Sequence, residues 1–414
     1  MVLVQKEQEK KLVFLISKQK QIRKRKDVII KILWHSTKPN VPTGYGTQSK
    51  LFMKALCEHG HDFTMSCSSG LFGAVEVMRV AGKEVKVLPH TSRAGQYGLD
   101  IIEQHYKRFL PDLILSFIDC FIFDPEVCAR LPWVAWCPVD SDPLMSGNLK
   151  ALESMKAVLA PTKWGKGVIE KAGIKNVHYM PCAYSKEEYH LTDRKDAKLL
   201  FEKIFKVDLT GRKLVNVVSS NSGNRKNFAA IFEAWTSVLR NFPEAILYIH
   251  ADPSGYFSDG NNLIEIMKLY GVDEKSVIFP PLWEYACGAV GVDFLNMIYN
   301  ASDVHVNACY GEGFGIPIIE AQACGCPVVV PAFGGASEIC KVGIKVHGTM
   351  VNSVPGGKQI LVDVDELVEG IETILGATPD REKISASVEE YEINHVIETQ
   401  TIPILEEILC SLVS

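Results

Sequence analysis

Two carboxylates, Glu312 and Glu320, stand eight positions apart in the segment GEGFGIPIIEAQACGCPVVVP at residues 311–331. Gly313, Phe314 and Gly315 lie between them, followed by Ile316 and Pro317. Proline is favoured in the first turn of a helix, where its missing N–H costs nothing. The segment is therefore expected to place Glu312 and the Gly313–Gly315 turn on a loop, with a helix from about Pro317 to Ala323. Gly325 would end that helix, and Pro327 through Val330 would start a buried strand. Such a turn aims backbone N–H groups and the positive end of a helix dipole at whatever sits above the glycines. Glu320 is expected to face the same cleft. An anionic ligand that also carries hydroxyls, such as a sugar nucleotide, suits this chemistry.

The elements that must hold these residues follow from the alternation of strands and helices. Val28–Trp34 reads as a strand, His35–Gly46 as a Pro/Gly loop and Thr47–His59 as an amphipathic helix, the opening of a Rossmann-like unit. Gly44 and Gly46 in that loop would permit close approach of backbone to a ligand. Buried strands are expected at Val85–Leu88, Leu113–Phe117, Trp133–Cys137, Val158–Ala160 and Val177–Met180. A charged stretch at 186–212 reads as a linker with a short helix near Lys198–Phe205. A second series then begins: strand Leu214–Val218, loop Ser219–Asn227, helix Phe228–Asn241, strand Ala245–His250, helix Asn262–Tyr270, strand Val277–Phe279, helix Val292–Asn300 and strand Val304–Asn307. Residues 381–414 read as helical. This alternation predicts an α/β protein built on parallel sheets with helices on both faces.

Bulk properties narrow the functional classes. A chain of 414 residues, 47% hydrophobic, is long enough for two or three well-cored domains. No apolar run reaches the ~20 residues of a membrane span, and the N-terminus lacks a secretory pattern, so a cytoplasmic address is expected. The twelve cysteines include no C-x-x-C, and they read as reduced, mostly buried thiols. Residues 1–31 hold ten Lys/Arg against three acids, while the whole chain carries a net charge of −5. The acidic remainder argues against nucleic acid as a partner. The basic stretch at 5–26 reads as a helix with a narrow apolar face. Peripheral membrane contact through that helix is the functional reading, and a solvated extension, which the narrow face favours, is the plain one.

The spaced acids, the GFG, the proline, the EAQACG run and the following apolar strand together resemble the E-x7-E motif of retaining glycosyltransferases of the GT-B fold, the group called family 4. The resemblance extends over about residues 28–410. It implies two Rossmann-like domains facing across a cleft: an acceptor domain at 28–195 after the 1–27 extension, a donor domain at 196–395, and a last helix at 396–414 crossing back to the first domain. It implies transfer of a sugar from an NDP-sugar, with UDP- or GDP-sugars the leading donors, to the hydroxyl of a glycan, lipid or protein. No cofactor is expected.

The resemblance also distributes roles. Glu320 would bind the ribose diol, and Glu312 would lie by the transferred sugar, binding its hydroxyls and stabilising positive charge. Gly313, Phe314, Gly315 and Ile316 would approach the donor through the turn, and the GGA at Gly334–Ala336 would add amide donors. Gly44 and Gly46 resemble the family's first glycine loop, which reaches the donor phosphates. Arg225 and Lys226, just past a strand end, would take up the charge of the leaving diphosphate. The family's Arg five or six residues before the Lys is missing; Ser220 or Asn221 stands there. Asp140 occupies the place of a family His, as sugar contact or proton acceptor, with the capping of a helix or turn as its competing reading. Asp140-Ser141-Asp142 spells a D-x-D, yet the resemblance implies phosphate binding without metal, so catalysis is expected to be metal-independent. Asn221 and Asp140, at positions the family usually fills otherwise, keep a second possibility open, a catalytically silent sugar-nucleotide-binding partner subunit.

Overall fold

A computed structural model describes residues 29–91, 97–256, 260–353 and 356–413. The basic helix expected at 5–26 lies outside the described residues.

Two parallel sheets dominate. The first contains β1 (Lys31–Thr37), β2 (Asp62–Ser69), β3 (Glu76–Val80), β4 (Lys83–Leu88), β5 (Leu113–Phe117), β6 (Trp133–Trp136), β7 (Ala157–Ala160) and β8 (Val177–Tyr179), in the order β3-β4-β2-β1-β5-β6-β7-β8. Only β3 runs antiparallel, as the edge partner of β4. The second contains β9 (Leu214–Val218), β10 (Ile246–His250), β11 (Val277–Ile278), β12 (Val304–Val306), β13 (Val328–Pro331) and β14 (Gly343–Val346), in the order β11-β10-β9-β12-β13-β14, all parallel. A two-stranded antiparallel ribbon, β15 (Gly348–Asn352) with β16 (Lys358–Val362), follows.

In each sheet the strand order reverses at one place, between β1 and β5 in the first and between β9 and β12 in the second. The loops leaving two such strands diverge to opposite faces and open a crevice beyond their carboxyl ends, the usual ligand position in open α/β sheets. This topology brings the loop after β9, which carries Arg225 and Lys226, beside the loop after β12, which carries Glu312.

Local sequence explains the elements around the crevice. All but the first residue of β1 are buried, as befits a central strand covered on both faces. The helix Gly44–Glu58 starts at Thr43, whose hydroxyl accepts the Gly46 amide at 3.1 Å. Its buried face, with Phe52, Met53 and Leu56, packs around Trp34 and Trp136. The chain ends in a helix, Ile402–Val413, reached through a short π turn at Ile397–Thr401. Leu405 and Ile408 join the core shared with Phe52 and Leu56. The C-terminal helix thus rests on the first half of the molecule.

Several expectations are corrected. The first strand runs on through His35, Ser36 and Thr37, and the helix begins at Gly44, so both glycines lie in its first turn rather than in a loop. A Cβ on Gly46 would stand 2.2 Å from the Val41 carbonyl oxygen, so this glycine is required by the loop's own backbone. Strands β2, β3, β14, β15 and β16 and the helix Val364–Gly376 are additions to the elements expected from the sequence. All the described cysteines are free thiols, ten of the twelve buried.

Candidate functional site

The turn after β12 is held by the loop after β9. The Tyr310 amide donates to the Arg225 carbonyl at 2.9 Å, and the Arg225 guanidinium donates back to the Gly311 carbonyl at 2.8 Å. The same guanidinium reaches Glu312 Oε2 at 3.2 Å, and Lys226 Nζ reaches Glu312 Oε1 at 2.5 Å. The side chains of Lys226 and Glu312 are 10% and 12% exposed, whereas Arg225 keeps 39%, so the pair is buried and Arg225 forms its open side. Burial works against ionisation of Glu312, but Lys226 and then Arg225 outweigh it and hold the carboxyl down to about 2. Glu312 is an anion at any physiological pH, and both cations expected to meet a diphosphate are committed to it here.

The turn itself needs its glycines. A Cβ on Gly313 would lie 2.5 Å from the Pro138 side chain, and Gly315 adopts φ +99°, a left-handed conformation that starts the helix Ile316–Ala323. The helix thus begins where the proline suggested. Ile316 Cδ1 lies 3.4 Å from where a Cβ on Gly44 would stand, so the two halves touch at this point. Two expectations fail in detail. The Phe314 ring turns into the core, edge-on to Tyr391 at 5.7 Å, leaving only its backbone at the site. In the GGA run, the Gly335 amide is committed to the Glu312 carbonyl at 3.1 Å.

Glu320 is 5% exposed and does not line an open cleft. Its Oε2 accepts the Tyr299 hydroxyl at 3.0 Å, and the Tyr189 hydroxyl also bonds to the carboxylate. Burial pushes the carboxyl up to about 7, and the two hydroxyls only partly oppose that rise. A carboxylate that accepts two hydroxyls has the geometry expected for a vicinal diol.

The first half contributes the opposite wall. Asp140 is close enough to feel both Arg225 and Glu312: burial raises its carboxyl, Arg225 draws it down, and Glu312 and Asp119 push it up again. Asp140 caps no helix; the next one, Ser146–Leu152, has Met145 at its start. Its carbonyl accepts Gln359 Nε2 at 3.2 Å, and Asp142 pairs by backbone with Lys358, so chain segments from the two halves run side by side. Asp142 bonds Lys171 at 3.5 Å, a structural use of the second acid in the D-x-D spelling.

Two residues went unnoticed in the sequence. Asp119, exposed two positions past β5, accepts the Tyr45 hydroxyl at 2.8 Å, and Tyr45 leans edge-on against Phe117. This bond bridges the first turn of the helix after β1 and the loop after β5, at the reversal point of the first sheet. The strand-end rule that singled out Arg225 would have found Asp119 too. The neutral side chain at the missing-Arg position staples its own loop. Asn221, fully buried, donates to the Asp252 and Asn261 carbonyls at 2.7 and 2.6 Å and accepts the Asn261 amide at 3.0 Å. His35 is buried and His250 partly so; desolvation takes both imidazoles down to about 4, which leaves them neutral.

Residues 212–377 match the sequence model of the family Glycosyl transferases group 1. A D-inositol 3-phosphate glycosyltransferase of Mycolicibacterium gilvum is 32% identical over 112 residues, which are 27% of this chain and 23% of that protein. The chain thus spans about a quarter of the length of the curated relatives it matches. Among solved structures, the sucrose-phosphate synthase of Thermosynechococcus elongatus superposes with a TM-score of 0.64 at 15% identity, over 92% of this chain and 96% of that one. The HepE protein of Anabaena, in complex with UDP and glucose, gives 0.61 at 17% identity over 92% and 99%. A glycosyltransferase of Rickettsia africae gives 0.66 at 16% identity over the same shares. The fold is GT-B.

Proposed function

We propose that this chain is a retaining glycosyltransferase that moves a sugar from an NDP-sugar to an acceptor hydroxyl without a metal ion. The observation that carries the reading is the Arg225–Glu312–Lys226 cluster at the reversal point of the second sheet, inside the stretch that matches the glycosyltransferase family. In use, the donor diphosphate would draw Lys226 and Arg225 from Glu312, freeing the carboxylate for the sugar. The bond from the sugar C1 to the diphosphate oxygen breaks and a bond to the acceptor oxygen forms on the same face. The acceptor proton passes to the departing phosphate oxygen. Arg225 and Lys226 stabilise the growing negative charge and Glu312 the positive charge on the ring. UDP-sugars are the first donors to try, since the Anabaena relative is seen with UDP-glucose. Asp119 and Asp140 on the opposite wall favour an acceptor that brings hydroxyls rather than further negative charge.

A panel of UDP-, GDP- and ADP-sugars tests the reading twice, by the rise in melting temperature that a native-state ligand causes and by transfer to a set of polyol, glycan and lipid acceptors. Turnover that persists in EDTA supports metal independence; abolition rescued by Mg²⁺ or Mn²⁺ refutes it. A second reading, a silent binding partner, draws on Asn221, which is committed to its loop where the family carries a cation. Binding without hydrolysis or transfer across the panel would select it.

A further inference from the structure

Glu338 joins the two halves of the molecule beside the candidate site. It sits on the helix Gly334–Ile339, and its carboxylate covers the start of the helix Lys163–Lys171 in the first half. Oε1 accepts the Lys163 amide at 2.9 Å and Oε2 the Trp164 amide at 2.7 Å. These are amides that a helix leaves without partners of its own, and a negative charge is favoured there. The helix's own cap, Thr162, takes only the Gly165 amide, at 3.0 Å. Beside this contact Trp164 meets Phe333 edge-on at 5.1 Å, and a Cβ on Gly334 would lie 3.8 Å from the indole.

The same short helix grips the backbone of the candidate catalytic acid. The Gly335 amide bonds the Glu312 carbonyl, and a Cβ on Gly335 would stand 2.7 Å from that oxygen, so nothing larger than glycine fits. On its other flank the 311–313 turn touches the first half again, where a Cβ on Gly311 would lie 2.1 Å from the Asp140 carbonyl oxygen.

We infer that Glu338 is a positioning residue: by seating its carboxylate on the Lys163–Lys171 helix, it sets the placement of Glu312 against Asp140 when the two halves meet. The inference rests on the reading of Glu312 as the donor-site acid. Parting the halves would strip two amides of their acceptor, so the contact favours the closed arrangement in which both walls of the site are assembled.

The test uses the full-length protein and the variants Glu338→Gln and Glu338→Ala. Glutamine keeps the shape but sets an NH₂ against one of the two amides. Amide exchange at Lys163 and Trp164 is expected to rise about tenfold in either variant, the scale of one lost charge-assisted bond. With Glu338→Gln, kcat is expected to fall about tenfold while the Kd for free nucleoside diphosphate stays within about twofold, because a positioning role acts on assembly and not on ground-state donor contacts. Unchanged exchange at both amides would overturn the contact, and raised exchange with unchanged kcat would reduce it to a structural cap. The exchange measurement needs no turnover, so an inactive wild-type protein would count against sugar transfer and leave the interdomain contact separately decided.

Discussion

Glu312→Gln separates two functions that the site packs into one carboxylate. Glu312 neutralises Lys226 and Arg225 in the free protein, and it is proposed to face the sugar during transfer. Its carboxyl lies at about 2 against an ordinary value of 4.5, which corresponds to about 3 kcal/mol of stabilisation of the anion remaining after burial has taken its share. A diphosphate entering the site competes for the same cations. In Glu312→Gln that competition is gone, and if the diphosphate recovers about half of it, free NDP binds about 10-fold tighter. Turnover moves the other way. Loss of the charge that supports the developing cation on the sugar is expected to cost about 100- to 1,000-fold in kcat, the scale of one preorganised electrostatic contact. The variant also leaves Lys226 beside a neutral amide, a change that can cost about 3 kcal/mol or more when a buried pair loses one partner. Melting temperatures therefore fall for reasons unrelated to ligand, and affinity must be read by titration calorimetry with NDP lacking a sugar. Tighter NDP with slower transfer supports the reasoning. Unchanged or weaker NDP binding refutes it, because the cations would then not be the partners of the diphosphate.

Lys226→Ala is expected to lower turnover about 100-fold and to narrow a pH effect. A depressed carboxyl contributes stability that is full above about 4.5 and lost as the pH falls through about 2, so the stability gap between wild type and variant should be large at pH 7 and close near pH 2 in denaturant titrations. Glu320→Gln tests the opposite shift. With its carboxyl raised to about 7, Glu320 costs the fold most above pH 7 and nothing below about 4.5, so the variant should gain melting temperature over wild type at pH 8 and not at pH 4.5. If Glu320 exchanges its tyrosine partners for a ribose diol, the same variant should also bind NDP more weakly in calorimetry; unaltered affinity would remove the residue from the donor site. Asn221→Ala takes one partner away from each of three hydrogen bonds and should cost about 1–3 kcal/mol, visible as faster amide exchange between Asp252 and Asn261. Unchanged exchange there would show that the amide does not staple the loop.

Legibility from sequence followed periodicity and punctuation. Strands β5 and β9 and the helix Phe228–Asn241 were bounded correctly because their apolar patterns give way close by to loop residues, Asp119, Ser219 and Pro243. The helix at Ile316–Ala323 followed from Pro317 and from Gly315, which only a left-handed turn explains. The misses have physical causes too. Strand β2 reads DFTMSCSS, too polar in sequence for a buried strand, and Ser66 and Ser69 find their partners only far along the chain, in His35 and His105 and in Thr37. Edge strand β3 exposes Val77 and carries Arg79, so it lacks a buried run. The sequence placed Glu312, Arg225 and Lys226 on loops just past strand ends, but their meeting depends on the reversal of sheet order between β9 and β12, which alternation alone does not give. The environment of Glu320 was not, because Tyr189 and Tyr299 are 131 and 21 residues away in the chain and only packing brings them together.

That packing gives the two acids of one short motif opposite natures. Eight residues apart, one carboxyl is pulled to about 2 by adjacent cations and the other is lifted to about 7 by burial against hydroxyls. Groups whose environments drive their pKa values apart are assigned different work. Glu312 keeps its charge throughout and suits the support of a cationic ring; it would gain nothing from titrating. Glu320 is poised near neutrality, and its partners are neutral donors that a diol can replace one for one. Were two ribose hydroxyls to replace the two tyrosine hydroxyls, as the proposed reading has it, neither charge nor hydrogen-bond count would change, so the desolvation cost already borne in the free protein would not be borne again. The Glu312 site would work by the reverse principle, since on the proposed reading its cations leave one anion to meet another. On the proposed reading, recognition of the nucleoside and activation of the leaving group would rest on different physics within a single loop and helix, so substitutions at the two acids should separate affinity from turnover.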